Sequence, residues 1–284
     1  MSNGEYLLTT CIIWNGLQPE QGPPHYALLP KGGFTPMSII AFTSKDAIHW
    51  EYSTVIVNAT WGTPKVHYPP YTYNTSLPPE TWPPQIYKLW GPTEHDLETL
   101  SDNKTIMAAI RMDGDSRCRS GSYEYFSGVY STDFGRSFTR PTPIKGAGCA
   151  RPRLKRLATG PLLMTGGRLC VENKTGLFLW ANENGMGGSS AGAHATEDFS
   201  RHSISAAHNA LWRGDSKYLF TAAVNDSALW ETLAYTSILP TGPDSVAILY
   251  QKFLNMSSKP WPGPSATFAI QLKVKNKLKT DDDS

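Results

Sequence analysis

The sequence predicts an all-β fold of the propeller type, and three observations support this prediction. The 284 residues include 24 Gly and 22 Pro, which interrupt the chain too often for long helices, while nine Trp and thirteen Tyr favour strands. The apolar runs are short, and one turn pattern recurs at a separation that suits a propeller. With 40% hydrophobic residues, the chain can form a single domain with a substantial core.

Most of the apolar runs have the length of a strand and are shorter than a typical globular helix. They cover residues 5–14, 37–42, 105–111, 128–130, 162–165, 177–180, 218–224, 246–253 and 266–274. Many short strands indicate a sandwich, a barrel or a propeller. Two segments leave room for short helices: residues 93–112, which contain no Gly or Pro, and residues 196–212, with Glu197 and Asp198 in a first turn after Thr196.

A recurring turn favours the propeller among these three folds. Ser44-Lys-Asp46-Ala-Ile-His-Trp50 returns 87 residues later as Ser131-Thr-Asp133-Phe-Gly135-Arg-Ser-Phe138, and residues 182–185 form a weaker third version. In the first two, an apolar strand runs into Ser-x-Asp, so the Asp can accept from turn amides while the next aromatic packs inward. The separation is about twice the roughly 40–45 residues of a four-stranded blade, and about six blades would fit this length tightly.

Charge and hydropathy exclude several classes of partner. The net charge is +2, and the four lysines between residues 273 and 279 are followed at once by three aspartates, so nucleic acid is not expected as a partner. The sequence contains no run of eighteen apolar residues, so a membrane-spanning helix is not predicted. No cysteine shows the spacing of a metal site, so neither a metal nor another cofactor is predicted. The oligomeric state does not follow from the sequence.

Asparagine is used unevenly. Six of the twelve Asn residues begin an N-x-[ST] sequon, where chance would give roughly two. They are Asn58, Asn74, Asn103, Asn173, Asn225 and Asn255. We expect a glycoprotein that is secreted or lies in the secretory-pathway lumen, although polar turns are themselves rich in these residues. Residues 1–16 show no signal peptide, which predicts a chain that is incomplete at its N-terminus.

The four cysteines allow more than one redox state. Cys11, Cys118, Cys149 and Cys170 leave open two disulfides, one disulfide or four buried thiols.

These motifs resemble those of the sialidase (neuraminidase) superfamily. The turn at residues 131–138 is similar to its Asp-box, or BNR, repeat, and residues 44–50 resemble a shortened copy. Residues 93–111 are similar to the segment in which a Glu opens one strand and an Arg closes the next. Residues 234–239 and 246–250 resemble the strand with the nucleophilic Tyr and its neighbour, and residues 149–157 and 162–168 resemble paired strands of one blade. The resemblance covers roughly residues 1–275, leaving 276–284 as a charged tail, and implies a six-bladed sialidase-like propeller.

The resemblance implies an exo-α-sialidase that removes terminal sialic acids from glycoconjugates. Tyr235 is then the nucleophile and Glu94 its base, and the implied substrate-binding residues are Arg111, Arg153, Arg168, Arg151, Asp96, His208 and Asn209. The chemistry suits the substrate, because planar guanidinium groups hold a carboxylate through two hydrogen bonds. A neutral Tyr also approaches the negative anomeric centre without like-charge repulsion, and sialidases are known among glycosidases for a Tyr nucleophile.

Two departures from the family pattern keep a second interpretation open. The arginine strand that should open the domain is absent, and residues 17–37 contain only Glu20 where the family has an acid/base Asp. The second interpretation is an inactive sialidase-like propeller that binds glycans or proteins, because a fold does not guarantee an activity.

Overall fold

The computed structural model describes residues 3–13, 37–57, 91–113, 126–144, 146–148, 150–167, 176–187, 199–212, 214, 232–253 and 265–274. The apolar run at residues 218–224 and the charged tail at residues 276–284 lie outside these described residues.

The described residues form four antiparallel sheets and one helix. The first sheet contains β1 (Tyr6–Ile13), β2 (Met37–Ser44) and β3 (Glu51–Val57). The second contains β4 (Gly91–Thr99), β5 (Ile106–Asp113), β6 (Phe126–Ser131) and β7 (Thr142–Ile144). The third contains β8 (Arg153–Arg156), β9 (Leu162–Gly166), β10 (Phe178–Asn182) and β11 (Ser200–Ser203). After α1 (Ile204–Trp212), the fourth contains β12 (Thr232–Gly242), β13 (Ser245–Phe253) and β14 (Ser265–Lys273).

Each sheet is a meander whose strands pair in chain order, so the first strand of each sheet lies at its edge. Consecutive sheets meet at these first strands: β4 lies against β1 and β2, β8 against β4, and β12 against β8 and β9. The all-β prediction is confirmed. The part of the chain that is described forms four sheets, and none of them closes on itself, so the six-bladed ring stays a prediction.

The core lies between successive sheets. β5 contributes core residues on both faces of the second sheet: Ile110 packs toward the first sheet and Met107 toward the third. β9 does the same one sheet later, with Met164 facing the second sheet and Leu163 facing α1 and the fourth sheet. Because such strands are buried on both faces, they appear in the sequence as continuous apolar runs.

The predicted turns are confirmed in their hydrogen bonding. Asp133 Oδ1 accepts from the amides of Arg136 and Ser137 at 3.1 and 2.9 Å. Asp46 Oδ1 accepts from two amides of its own turn in the same way, at 2.9 and 2.8 Å. The prediction that the aromatic residue after each turn packs inward is confirmed at one of the two turns. Phe138 packs against the core between the first two sheets, whereas Trp50 is exposed.

The two segments left open for helices behave differently. Residues 93–112 form the β4–β5 hairpin instead of a helix. In the second segment the helix begins at Ile204, eight residues later than expected, and the Ser203 hydroxyl accepts from the Ala206 amide at 3.0 Å as an N-cap. Cys11 Sγ lies 3.6 Å from the Pro92 carbonyl oxygen, and the other three cysteines lie outside the described residues, so the alternatives for the cysteines stay open.

Candidate functional site

A row of three carboxylates on β4 faces the edge of the third sheet. Alternate side chains of a strand point to the same side, so Glu94, Asp96 and Glu98 form this row. Glu94 Oε2 accepts from the Arg151 amide at 2.9 Å, Asp96 Oδ2 from the Leu154 amide at 2.9 Å. Glu98 Oε2 accepts from the Arg156 amide at 3.2 Å. In the described part of the chain no strand pairs with this edge of β8, and side-chain oxygens accept from its amides instead. We call Glu94, Asp96 and Glu98 the carboxylate ladder.

Glu94 is the point where three sheets meet. Besides the Arg151 amide, its Oε2 accepts from Arg111 Nη1 of β5 at 2.6 Å, and its carboxylate accepts from the Tyr235 hydroxyl of β12. Burial alone would raise the pKa of Glu94. The hydrogen bond and charge of Arg111, together with the Tyr235 and Arg151 hydrogen bonds, outweigh burial and hold this pKa below its ordinary value. Glu94 is therefore ionised and positioned to take a proton from Tyr235.

Tyr235 is placed by the alternation of β12. Its neighbour Thr236 is buried and shares a hydrogen bond with Thr165 of β9 at 2.8 Å, which anchors β12 on the third sheet. Tyr235 consequently points to the opposite side, where 38% of it is exposed. The guanidinium carbon of Arg151 lies 5.6 Å from the centroid of the Tyr235 ring, within the range of a cation–π contact. A phenol beside both a carboxylate that can take its proton and a cation can act as a nucleophile.

Arg153 and Asp96 form a second, looser pair next to Glu94. Arg153 Nη1 lies 3.9 Å from Asp96 Oδ2, and Arg153 Nε is buried with no hydrogen-bond partner. Burial raises the pKa of Asp96, against the lowering effects of the Leu154 amide and the Arg153 charge. The Nε donor of Arg153 is therefore unsatisfied where it lies, beside the Asp96 carboxylate.

The structure brings together four of the residues singled out in the sequence: Glu94, Tyr235, Arg111 and Arg151. Asp96 lies next to this group on β4, the strand of Glu94, and Arg153 faces Asp96 from β8. Arg168 and Glu20 lie outside the described residues, and so does the side chain of Asn209.

His208 is placed differently, in the core between α1 and the fourth sheet. Its Nδ1 pairs with the Tyr250 hydroxyl at 2.8 Å, and its ring packs edge-on against Phe268 with the centroids 4.7 Å apart. Burial raises the pKa of Tyr250 to about 12, so its hydroxyl is neutral, and the two side chains pack as part of the core.

Sequence reasoning missed Glu98 and its partner Lys155, whose Nζ lies 2.8 Å from Glu98 Oε2. The alternation Glu94-x-Asp96-x-Glu98 was the available signal, since acids spaced by two residues share one side of a strand. Within the described residues, no group of three or more His, Cys, Asp and Glu is arranged to hold a metal ion. The described part of the chain also contains no helix with the length and hydropathy of a membrane span.

No protein-family model matches the sequence, and the comparison with curated proteins gave no match. Among solved structures, the chain is similar to a protein of unknown function from Dyadobacter fermentans, with 14% identity and a TM-score of 0.54 over 97% of this chain and 52% of that one. It also matches an ulvan lyase, a polysaccharide lyase bound to -[GlcA(1-4)Rha3S]-, with 14% identity and a TM-score of 0.41 over 95% and 53% of the two chains.

A third match is an exo-β-1,3-galactanase from Clostridium thermocellum, with 10% identity and a TM-score of 0.29 over 84% and 53% of the two chains. The likeness to the Dyadobacter protein concerns the fold alone. The chain spans about half the length of each of these structures.

Proposed function

We propose that the chain is a sialidase-like glycoside hydrolase that removes terminal sialic acids from glycoconjugates. The observation that carries the proposal is the Glu94 carboxylate, which accepts from Tyr235 and Arg111 at once. This is the Tyr–Glu–Arg arrangement that the sialidase resemblance implies, and it joins residues more than a hundred positions apart in the sequence. The proposal includes a six-bladed propeller, of which four sheets are described, and a secreted or lumenal location.

The first half of the reaction uses Tyr235 as nucleophile. Glu94 takes the proton of the Tyr235 hydroxyl as its oxygen forms a bond to the anomeric carbon of the sialoside. The bond from that carbon to the leaving oxygen breaks, and the oxygen receives a proton from a general acid. We assign this acid to Glu20, which lies outside the described residues.

The second half releases the sugar. Water attacks the anomeric carbon, gives its proton to the former general acid and displaces the Tyr235 oxygen, which regains its proton from Glu94. The two displacements at one carbon give retention of the anomeric configuration. The net change is sialoside plus water to free sialic acid plus alcohol.

Arginines hold the substrate carboxylate in this proposal. Arg111 is fixed by Glu94, and Arg153 offers a buried Nε that has no hydrogen-bond partner. Arg151 lies over Tyr235, where its charge favours the phenolate form as the proton moves to Glu94. Arg168 completes the clamp in the proposal, from outside the described residues.

An inactive propeller that binds glycans is the second candidate. The observation in its favour is that Arg153 faces Asp96, a carboxylate that competes with the carboxylate of a sialic acid for the same guanidinium. In that case the arginines hold a sialylated glycan without cleaving it.

Release of the fluorophore from a fluorogenic sialoside distinguishes the two candidates. We expect release by the purified protein between about pH 4 and 8, where carboxylates and His titrate. Release falls to background in Tyr235→Phe, and by roughly 10²-fold or more in Glu94→Gln, because each loses one partner of the proton transfer. Tyr6→Phe is the matched control, since Tyr6 is exposed on β1 in the first sheet.

A wild-type protein without release would overturn the hydrolase. Titration with a sialylated oligosaccharide then decides the rest: saturable binding that is lost in Arg153→Gln supports the glycan-binding candidate, and its absence excludes that candidate as well.

A further inference from the structure

Asn103 lies at the tip of the turn that joins β4 to β5. It is exposed and has a φ of 56°, in the left-handed region that Asn adopts more readily than most residues. Its amide donates to the Leu100 carbonyl at 2.9 Å, and Asp102 Oδ1 accepts from the Lys104 and Thr105 amides at 3.0 and 2.8 Å. The turn therefore presents the Asn103 side chain outward in a defined position.

The Asn103 carboxamide is held by its oxygen and not by its nitrogen. Oδ1 accepts from Arg156 Nη1 of the neighbouring sheet at 2.8 Å, and the same nitrogen donates to the Leu100 carbonyl at 2.7 Å. Substitution at Nδ2 leaves Oδ1 a carbonyl acceptor, so the contact to Arg156 survives it. Space is also present, since Arg156, Leu157, Pro240 and Pro243 line an open cleft of about 550 Å³ beside this contact.

We propose that Asn103 is the acceptor of an N-linked glycan. Asn103-Lys-Thr105 is a sequon, and of the six in the chain it is the one whose acceptor falls within the described residues. In the transfer, Nδ2 forms a bond to the anomeric carbon of an oligosaccharide that is activated as a pyrophosphate ester. The bond from that carbon to the pyrophosphate oxygen breaks, and the amide nitrogen loses one proton.

The folded turn limits when this transfer can happen. Thr105 is 6% exposed, and its hydroxyl donates to Asp102 Oδ2 at 2.6 Å, so the sequon threonine is not accessible once the hairpin has formed. Asn103 is therefore modified during translocation, before β4 and β5 pair. Protein that has already folded is not an acceptor.

The glycan lies far from the proposed catalytic site. Glu94 is near the beginning of β4 and the turn follows its end, about 20 Å away at 3.3 Å per residue. Occupancy of Asn103 therefore leaves the chemistry at Glu94 and Tyr235 unchanged. This proposal rests on the secreted or lumenal location that the proposed function includes, and not on the catalytic chemistry.

Glycopeptide mass spectrometry of protein secreted from eukaryotic cells tests the proposal. We expect glycan on Asn103 in most molecules, retained in Thr105→Ser and lost from this site alone in Asn103→Asp. Asp keeps an oxygen acceptor for Arg156 and tolerates the left-handed conformation, so this variant remains folded. Unmodified Asn103 in most secreted wild-type molecules would overturn the proposal, whether or not other sequons carry glycan. Glycan transfer to Asn103 of the refolded bacterial protein would contradict the argument that the folded turn blocks the transfer.

Discussion

At the scale of single residues, the site depends on the balance of two opposing effects on Glu94. Burial favours its neutral form, while Arg111, Tyr235 and the Arg151 amide favour the carboxylate, and the second group prevails. Arg111 makes the largest of these contributions, through a 2.6 Å contact in which both side chains are mostly buried. The Glu94 carboxylate is therefore ionised, and able to accept a proton, at neutral pH and also in mildly acidic solution.

The acid limb of the pH–rate profile follows from this balance. A carboxylate with a lowered pKa stays ionised as the pH falls, so kcat/KM should decline only below the ordinary Glu value of about 4.3. In Arg111→Gln the charge is lost and burial remains, so the limb should move to higher pH. Arg136→Gln, which removes an exposed ion pair with Glu5, is the control and should leave the limb in place. An unchanged limb in Arg111→Gln would contradict the assignment of Glu94 as base.

At the scale of elements, a turn of one sheet packs on a strand of the sheet before it. Gly135 has a φ of 80°, and a Cβ on it would lie 2.8 and 3.0 Å from the two Cδ atoms of Leu7 in β1. Ser53 adds a hydrogen bond from its hydroxyl to the Gly135 carbonyl at 3.1 Å. The turn at residues 131–138 is thus a contact between sheets as well as a tight turn.

Gly135→Ala should therefore lower the free energy of unfolding by about 1–2 kcal/mol, from backbone strain and the displaced Leu7. Gly4→Ala is the matched control, because Gly4 has a φ of 79° and nothing within 4 Å of an added Cβ. Urea denaturation measures both variants. Equal losses in the two would show that the contact with Leu7 contributes nothing.

The same elements show what the sequence can predict. Strands buried on both faces, such as β5 and β9, form apolar runs and are found directly. The sequence did not predict β4 as a strand, and a short helix stayed possible there. Its acids at alternate positions are paired with amides and cations of another sheet. Such contacts between sheets leave no signal in a local sequence pattern. The prediction that Glu94 lies with Tyr235 and Arg111 came from the sialidase resemblance and not from periodicity. No local pattern in the sequence indicated that His208 lies in the core.

At the scale of the whole molecule, the carboxylate ladder joins the second sheet to the third. Asp96 and Glu98 accept from the Leu154 and Arg156 amides of β8, and Glu94 accepts from the Arg151 amide just before that strand. The ladder also fixes the backbone at Arg151, which has a φ of 31°, and so determines where its guanidinium meets Tyr235. Packing between sheets and geometry of the site are therefore linked.

Asp96→Ala tests this link through stability. Removing the carboxylate leaves the Leu154 amide without its acceptor and Arg153 without its nearest charge, so unfolding should require about 1–3 kcal/mol less. Glu51→Ala, at an exposed position of β3, is the control and should change stability by no more than about 0.5 kcal/mol. An Asp96→Ala midpoint equal to that of the wild type would mean that the ladder does not hold the sheets together.

The most direct test of the Tyr235 chemistry is to trap the covalent intermediate with a 3-fluorosialosyl fluoride. Anomeric fluoride leaves without a proton donor, and the second fluorine slows hydrolysis by destabilising the oxocarbenium-like transition state. We predict an intact-mass increase of one fluorosialosyl group, mapped by peptide sequencing to Tyr235 and absent in Tyr235→Phe. An unlabelled wild-type protein, or a label on a carboxylate, would contradict the account.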